Sequence, residues 1–170
     1  MKKNLTVEET FALAVKFYQK KKFHAAEKLY KEILKTYPNH ANTYVNLGMT
    51  LYKLEKYKEA IDCYENAIKI NPNDANPHYN LGNLYKNFSK YEEAINFYNK
   101  AIQINPNHLS AYNNLGNVFK DLGEYKKAIN CYIKAIQINP NNAEVHNNLG
   151  LSYRKIGKST LAVDSYQKAL

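Results

Sequence analysis

The chain has 170 residues, 45% of them hydrophobic, with a formal net charge of +9, which suits one ordinary domain and favours acidic partners or simple solubility. Its two cysteines, Cys63 and Cys131, form no CxxC and point to neither a disulfide framework nor a metal knuckle, hence to a reducing, cytoplasmic setting. The start, MKKNLTVEET, lacks the apolar run of a secretory signal, and no stretch approaches the roughly 18 apolar residues of a membrane span.

Reading from the N-terminus, Thr6 and Glu9 form a T-x-x-E capping box that opens a first helix at Val7. Leu13, Ala14 and Phe17 follow at helical spacing on one stripe. Lys20, Lys21 and Lys22 fall in a solvated turn, and a second helix runs through Ala26 and Tyr30 until Pro38 stops it. The pair then recurs. "NLG" stands at 46–48, 80–82, 114–116 and 148–150, and "NPN" at 71–73, 105–107 and 139–141, always 34 residues apart. The units open at Val7, Ala41, Ala75, Leu109 and Ala143, and cover 7–40, 41–74, 75–108, 109–142 and, cut short, 143–170.

With each unit numbered 1 to 34, position 8 is Ala14, then Gly48, Gly82, Gly116 and Gly150. Position 20 is Ala26, Ala60, Ala94, Ala128 and Ala162, and position 24 is Tyr30, Tyr64, Tyr98, Tyr132 and Tyr166. Small residues at 8 and 20 let two helix backbones approach, where bulk would hold them apart. Position 32 is Pro38, Pro72, Pro106 and Pro140, and the Asn that precedes three of them is expected to take the left-handed conformation that ends a helix. Gly123 and Gly157 fall in the turn between helices.

This pattern resembles the tetratricopeptide repeat family, over residues 7–170. The resemblance implies an all-α fold: an α-solenoid of five tandem helix-turn-helix hairpins in a right-handed superhelix with a concave groove. Position 4 departs from the family, varying as Thr10, Tyr44, His78, Tyr112 and His146, and Ser159 stands where an aromatic is usual. The family usually adds a polar capping helix after its last repeat. The sequence stops at Leu170, position 28 of the fifth unit, so the expectation is a single array belonging to a longer chain, or an end buried by self-association.

The sequence offers no chemistry. Every glycine is explained by the repeat, none forms a phosphate-cradling loop, and the histidines recur with the register, so no cofactor or metal is expected. No Ser, Cys or carboxylate stands beside a base. Catalysis is not expected within these residues.

The family resemblance assigns the groove to positions 2, 5, 6, 9, 12 and 13 of each first helix. Position 6 is Asn46, Asn80, Asn114 and Asn148 in four successive units, and position 9 adds Asn83 and Asn117. With Asn42, Asn76, Asn87, Asn113 and Asn147, 11 of 30 groove positions are Asn against 13 of the other 140, so overall composition is a poor explanation. Inherited repeat duplication is the competing one. An amide offers two donors and an acceptor, and can bond both the N–H and the C=O of an extended main chain whatever its side chains. Such a ladder is similar to that of the O-linked N-acetylglucosamine transferases. The start of the chain also looks like bacterial repeat proteins that carry a glycosyltransferase or methyltransferase further along.

The expected function is therefore a protein–protein interaction scaffold that binds an extended polypeptide segment. The alternative is the substrate-recognition region of a larger enzyme, such as a protein glycosyltransferase. Lys86, Lys120 and Arg154 at position 12 add a basic rim that would favour acidic segments or merely be solvated. Phe11, Tyr18, Tyr52 and Tyr79 make a candidate apolar anchor, with internal packing or a second copy as the competing uses. A cochaperone-type carboxylate clamp is disfavoured, because positions 2 and 6 carry no basic residue. No nucleic-acid motif accompanies the charge, so no specific nucleic acid is expected as a partner, and no membrane.

Overall fold

The computed structural model describes residues 5–170, and the described residues form ten α-helices and no strand. Five helices of 13 residues open the hairpins: α1 (Val7–Gln19), α3 (Ala41–Lys53), α5 (Ala75–Asn87), α7 (Leu109–Asp121) and α9 (Ala143–Lys155). Their return partners are α2 (Phe23–Thr36), α4 (Tyr57–Ile70), α6 (Tyr91–Ile104), α8 (Tyr125–Ile138) and α10 (Ser159–Gln167). None of these helices is long and apolar enough to cross a membrane.

The helices gather into two compact units, one reaching Leu84 within α5 and the other beginning at Tyr85. In the first, α1 packs on α2, α2 on α3 and α3 on α4, while α1 also touches α3. In the second, α6 packs on α7, α7 on α8, α8 on α9 and α9 on α10, while α7 touches α9. First helices of neighbouring hairpins thus lie side by side within each unit.

The capping box forms as expected. Glu9 N donates to Thr6 Oγ1 at 3.2 Å, and Thr6 N donates back to Glu9 Oε2 at 2.9 Å. Position 34 also caps, a role the sequence reading did not assign. His40 Nδ1 accepts from Thr43 N and His108 Nδ1 from Ala111 N, each at 3.3 Å, and Asn142 Oδ1 accepts from Val145 N at 3.0 Å. These bonds satisfy N–H groups that the first turn of a helix cannot pair internally.

The expected left-handed Asn at helix ends is corrected by the structure. Asn71, Asn105 and Asn139 have φ of −132°, −126° and −136° with ψ near 90°, an extended conformation. The proline that follows each one clashes with a helical or left-handed predecessor and pushes it towards the β region. Left-handed geometry falls instead at position 15 of every unit. Gly123 and Gly157 adopt it with φ of 76° and 75°, and Lys21, Glu55 and Ser89 adopt it with φ of 58°, 60° and 57°.

The small/aromatic pairing is present in atomic detail. A Cβ built on Gly48, Gly116 or Gly150 would lie 2.6 Å from the ring of Tyr64, Tyr132 or Tyr166 respectively. The buried stripe of the first helices is wider than the 4, 7, 8, 11 pattern predicts. Thr43, Ala111 and Val145 at position 3 and Thr50, Val118 and Ser152 at position 10 are wholly buried. In the second unit the reason is direct, since Val145 and Leu149 of α9 close a cluster with Ala128, Ile129, Tyr132 and Ala135 of α8. The same places in α1 hold the exposed charges Glu9 and Lys16.

One buried charge stands at position 21, where the other hairpins have Ile61, Ile95, Ile129 and Val163. Glu27 on α2 accepts from Lys31 at 2.7 Å and from Lys56, at the start of α4, at 2.8 Å. Its side chain is only 10% exposed. Burial pushes its carboxyl pKa up, but the hydrogen bonds and charges of the two lysines outweigh that and hold it below the ordinary value. A depressed carboxylate stabilises the fold above its unfolded pKa, roughly 4.3, and loses that contribution as pH falls through the folded value. Glu27→Gln is therefore expected to lower stability by about 1–2 kcal/mol at pH 7, since both lysines stand partly in water and tolerate loss of their partner. The gap between variant and parent should close below pH 4 in thermal melts; a gap constant with pH would refute the ion-pair account.

Candidate functional site

In each unit, the candidate site is the face of its odd-numbered helices formed by positions 2, 5, 6, 9, 12 and 13. Asn46, Asn80, Asn83, Asn114 and Asn117 are half-buried there, as are Lys86 and Lys120, while Arg154 is exposed and Asn148 is only 8% exposed. The amides of the ladder are not all equally open. Asn46 Nδ2 donates to Asn42 O, one turn back in α3, at 2.8 Å. That uses one of its two donors and none of its acceptor capacity.

In the second unit the amides join across helices. Asn113 of α7, buried at 6% exposure, donates from Nδ2 to Glu144 Oε1 of α9 at 2.9 Å. Asn148 Nδ2, also on α9, donates to Asn113 Oδ1 at 3.2 Å. The sequence places Asn113 and Asn148 on one face, and the structure adds that they bond each other. Glu144 was missed. Its signal was available: it occupies position 2, a groove position, and is the only carboxylate of α9.

Asn117 has a structural duty as well. Tyr132 Oη donates to its Oδ1 at 2.8 Å, and Lys120 Nζ donates to the same oxygen at 3.3 Å. Tyr132 is wholly buried, so its hydroxyl needs a partner, and position 9 supplies one. In the first and fifth hairpins position 9 is Val15 and Leu151, and there the hydroxyls of Tyr30 and Tyr166 are buried without a partner. Part of the Asn enrichment thus serves the core.

The four candidate anchor aromatics all belong to the first unit and are half-buried. Phe11 stands edge-on to Tyr30 at 5.8 Å and to His40 at 5.7 Å. Tyr18 meets Phe23 at 5.5 Å, and Tyr52 meets Tyr57 at 5.7 Å, each edge-on. The phenol of Tyr30 is pushed up to about 12, by burial first and by nearby Tyr18 second. That of Tyr64 is raised by burial, with Tyr18, Cys63 and Tyr52 adding to it. Tyr18 and Tyr52 therefore stand close to the buried tyrosines of their own hairpins, and packing accounts for much of their burial.

No group of three or more His, Cys, Asp and Glu among the described residues could hold a metal. Burial raises the Cys63 thiol to about 12, helped by Asp62 and Glu59, and the Cys131 thiol to about 11, so neither supplies a thiolate near neutral pH. What the face offers is amide donors and acceptors edged by charge, a chemistry of recognition.

Known proteins match this architecture. A model described as TPR repeat matches residues 48–87 and 116–157, and models described as tetratricopeptide repeat match 75–108 and 97–130. A model of anaphase-promoting complex, cyclosome, subunit 3 matches residues 3–67. No curated protein matches the chain. Among solved structures, a crystal structure of MamA is 30% identical, with a TM-score of 0.81, over 96% of this chain and 90% of that one. A MamA from Desulfovibrio magneticus is 19% identical, with a TM-score of 0.81, over 96% of this chain and 92% of its own. YrrB, described as a TPR protein with an unusual peptide-binding site, is 21% identical, with a TM-score of 0.72, over 96% and 84% of the two chains. The last two likenesses concern the fold alone.

Proposed function

The chain belongs to the tetratricopeptide repeat family, and from that premise we propose that it is a protein-interaction scaffold whose amide-bearing face holds an extended polypeptide segment of another protein. The observation that carries this reading is that Asn114 and Asn117 of α7 stay half-buried on the face where Asn113 reaches across to Glu144 and Asn148 of α9, at 2.9 and 3.2 Å. Polar groups of successive first helices come within one hydrogen bond of each other, so a main chain laid over them meets several at once. Each bond contributes roughly 0.5–1.5 kcal/mol net, and a row of them holds a segment with little demand on its sequence. YrrB, of similar fold, is described as having a peptide-binding site, in keeping with such a use.

The test is capture of a partner with the whole chain, mapping of the bound segment, and titration of that segment. Asn80→Ala combined with Asn114→Ala is expected to preserve the helical content and weaken the mapped segment by about tenfold or more, the loss of one to two net bonds per amide. Unchanged affinity in a folded double variant removes the amide ladder from the reading.

A further inference from the structure

In the second unit the hydrogen bonds of Asn113, Asn117 and Asn148 set what those three amides leave for a visitor. Asn117 Oδ1 is already taken by Tyr132 and Lys120, so its Nδ2 hydrogens are what remain. On α9 the order reverses. A carboxylate only accepts, so Glu144 obliges Asn113 to turn its Nδ2 towards it, and Asn113 Oδ1 then obliges Asn148 to donate. Exchanging the oxygen and nitrogen of either amide would set like against like. What remains on this side is the second oxygen of exposed Glu144, the carbonyl of nearly buried Asn148, and one Nδ2 hydrogen each on Asn113 and Asn148, both nearly buried.

The strip is polarised by charge, with Glu144 on one side and Lys120 and Arg154 on the other. Because α8 turns back on α7 and α9 turns back on α8, α7 and α9 run the same way. Asn113, at position 5 of its unit, lies level with positions 2 and 6 of the next, so the two helices are nearly in register. One end of the strip carries Glu144, and the other carries the donor amide of Asn117, Lys120 and exposed Arg154. Asp121 is the one carboxylate of α7, and it follows Lys120 directly in the chain at that end. Positions 2 and 12 are separated by about 15 Å along the helix at 1.5 Å per residue. An extended chain covers that in about four to five residues.

Resting on the peptide reading above, we propose that this strip selects a segment carrying a basic side chain for Glu144 and an acidic side chain for Lys120, in one fixed order and about four to five residues apart. The amides bond the main chain between them, and the charges set its direction. This narrows the acidic partner suggested by net charge alone to a segment bearing both signs.

The probe is a phage-displayed library of random twelve-residue peptides, panned on the full chain and on Glu144→Lys, Glu144→Gln and Lys120→Glu. Glu144→Gln retains an acceptor for Asn113 and so keeps the network while removing the charge. On the parent chain, enriched peptides should carry Lys or Arg and Asp or Glu in a single order at that spacing. Synthetic copies should bind Glu144→Gln and Glu144→Lys at least about tenfold more weakly, and exchange of their basic residue for an acidic one should restore binding to Glu144→Lys. Enriched peptides without the ordered pair, or an affinity indifferent to Glu144→Lys yet lost on Asn80→Ala with Asn114→Ala, overturn this inference and leave the scaffold reading standing. No enrichment on any of the chains removes both.

Discussion

Tyr132→Ala is expected to destabilise the protein by about 3–5 kcal/mol, the range for deleting a large buried ring. Tyr132 is fully excluded from water, fills the space beside Gly116, and sits in the cluster of Ala128, Ala135, Val145 and Leu149 that joins α8 to α9. Removing the ring takes away contacts that Ile129, Val145 and Leu149 make across the joint between α8 and α9. Tyr132→Phe isolates the hydroxyl. It should cost about 0.5–1.5 kcal/mol, because the bond to Asn117 is lost while Lys120 continues to satisfy that carbonyl. Tyr30→Phe, at the same place in the first hairpin, should be neutral or slightly stabilising, since the Tyr30 hydroxyl is buried without a partner. Urea unfolding of the three variants gives the comparison. Equal costs for the two Phe substitutions would refute the link between position 9 and position 24.

Gly48→Val should be nearly as damaging, at about 3 kcal/mol or more. A Cβ at this place lies 2.6, 2.9 and 3.0 Å from three ring atoms of Tyr64, a residue 2% exposed and held on every side. A branched side chain cannot be accommodated without parting α3 from α4. Gly48→Ala is a milder case. It gains about 1 kcal/mol of helix propensity over glycine, and Ala14 holds the corresponding place beside α2 in the first hairpin with no exposed surface at all. A double-mutant cycle with Tyr64→Leu checks the contact. The two substitutions should be much less damaging together than their separate costs imply, and simple additivity would sink the steric account.

The sequence made the hairpins legible because their determinants are periodic. A small residue at 8 and an aromatic at 24 recur every 34 residues, and the capping box and the two turn glycines carry local signatures that do not depend on neighbours. What escaped depends on contact between hairpins. Positions 3 and 10 are buried because α8 lies against α9, and nothing in the spacing of a single helix announces that. Glu144 belongs to the candidate site because Asn113 reaches it from 31 residues away. Lys21, Glu55 and Ser89 take a left-handed conformation usually left to glycine, because the hairpin imposes it at the same step in every unit. The asparagines before proline are extended rather than left-handed for a local reason, the steric demand of the proline ring on its predecessor. Asn117 was assigned to the face alone, and its second duty to Tyr132 shows only once the two helices are side by side.

The ion pair between Glu27 and Lys56 makes the order of the hairpins matter. Lys56 stands at position 16, which is Lys90 in the third unit, Glu124 in the fourth and Lys158 in the fifth. A gene rearrangement that set the first hairpin directly ahead of the third would preserve an attractive partner for Glu27. One that set it ahead of the fourth would oppose two carboxylates at a buried seam. Units that look interchangeable by their shared pattern are therefore addressed to particular neighbours, and shuffling them is constrained by the sign of one side chain.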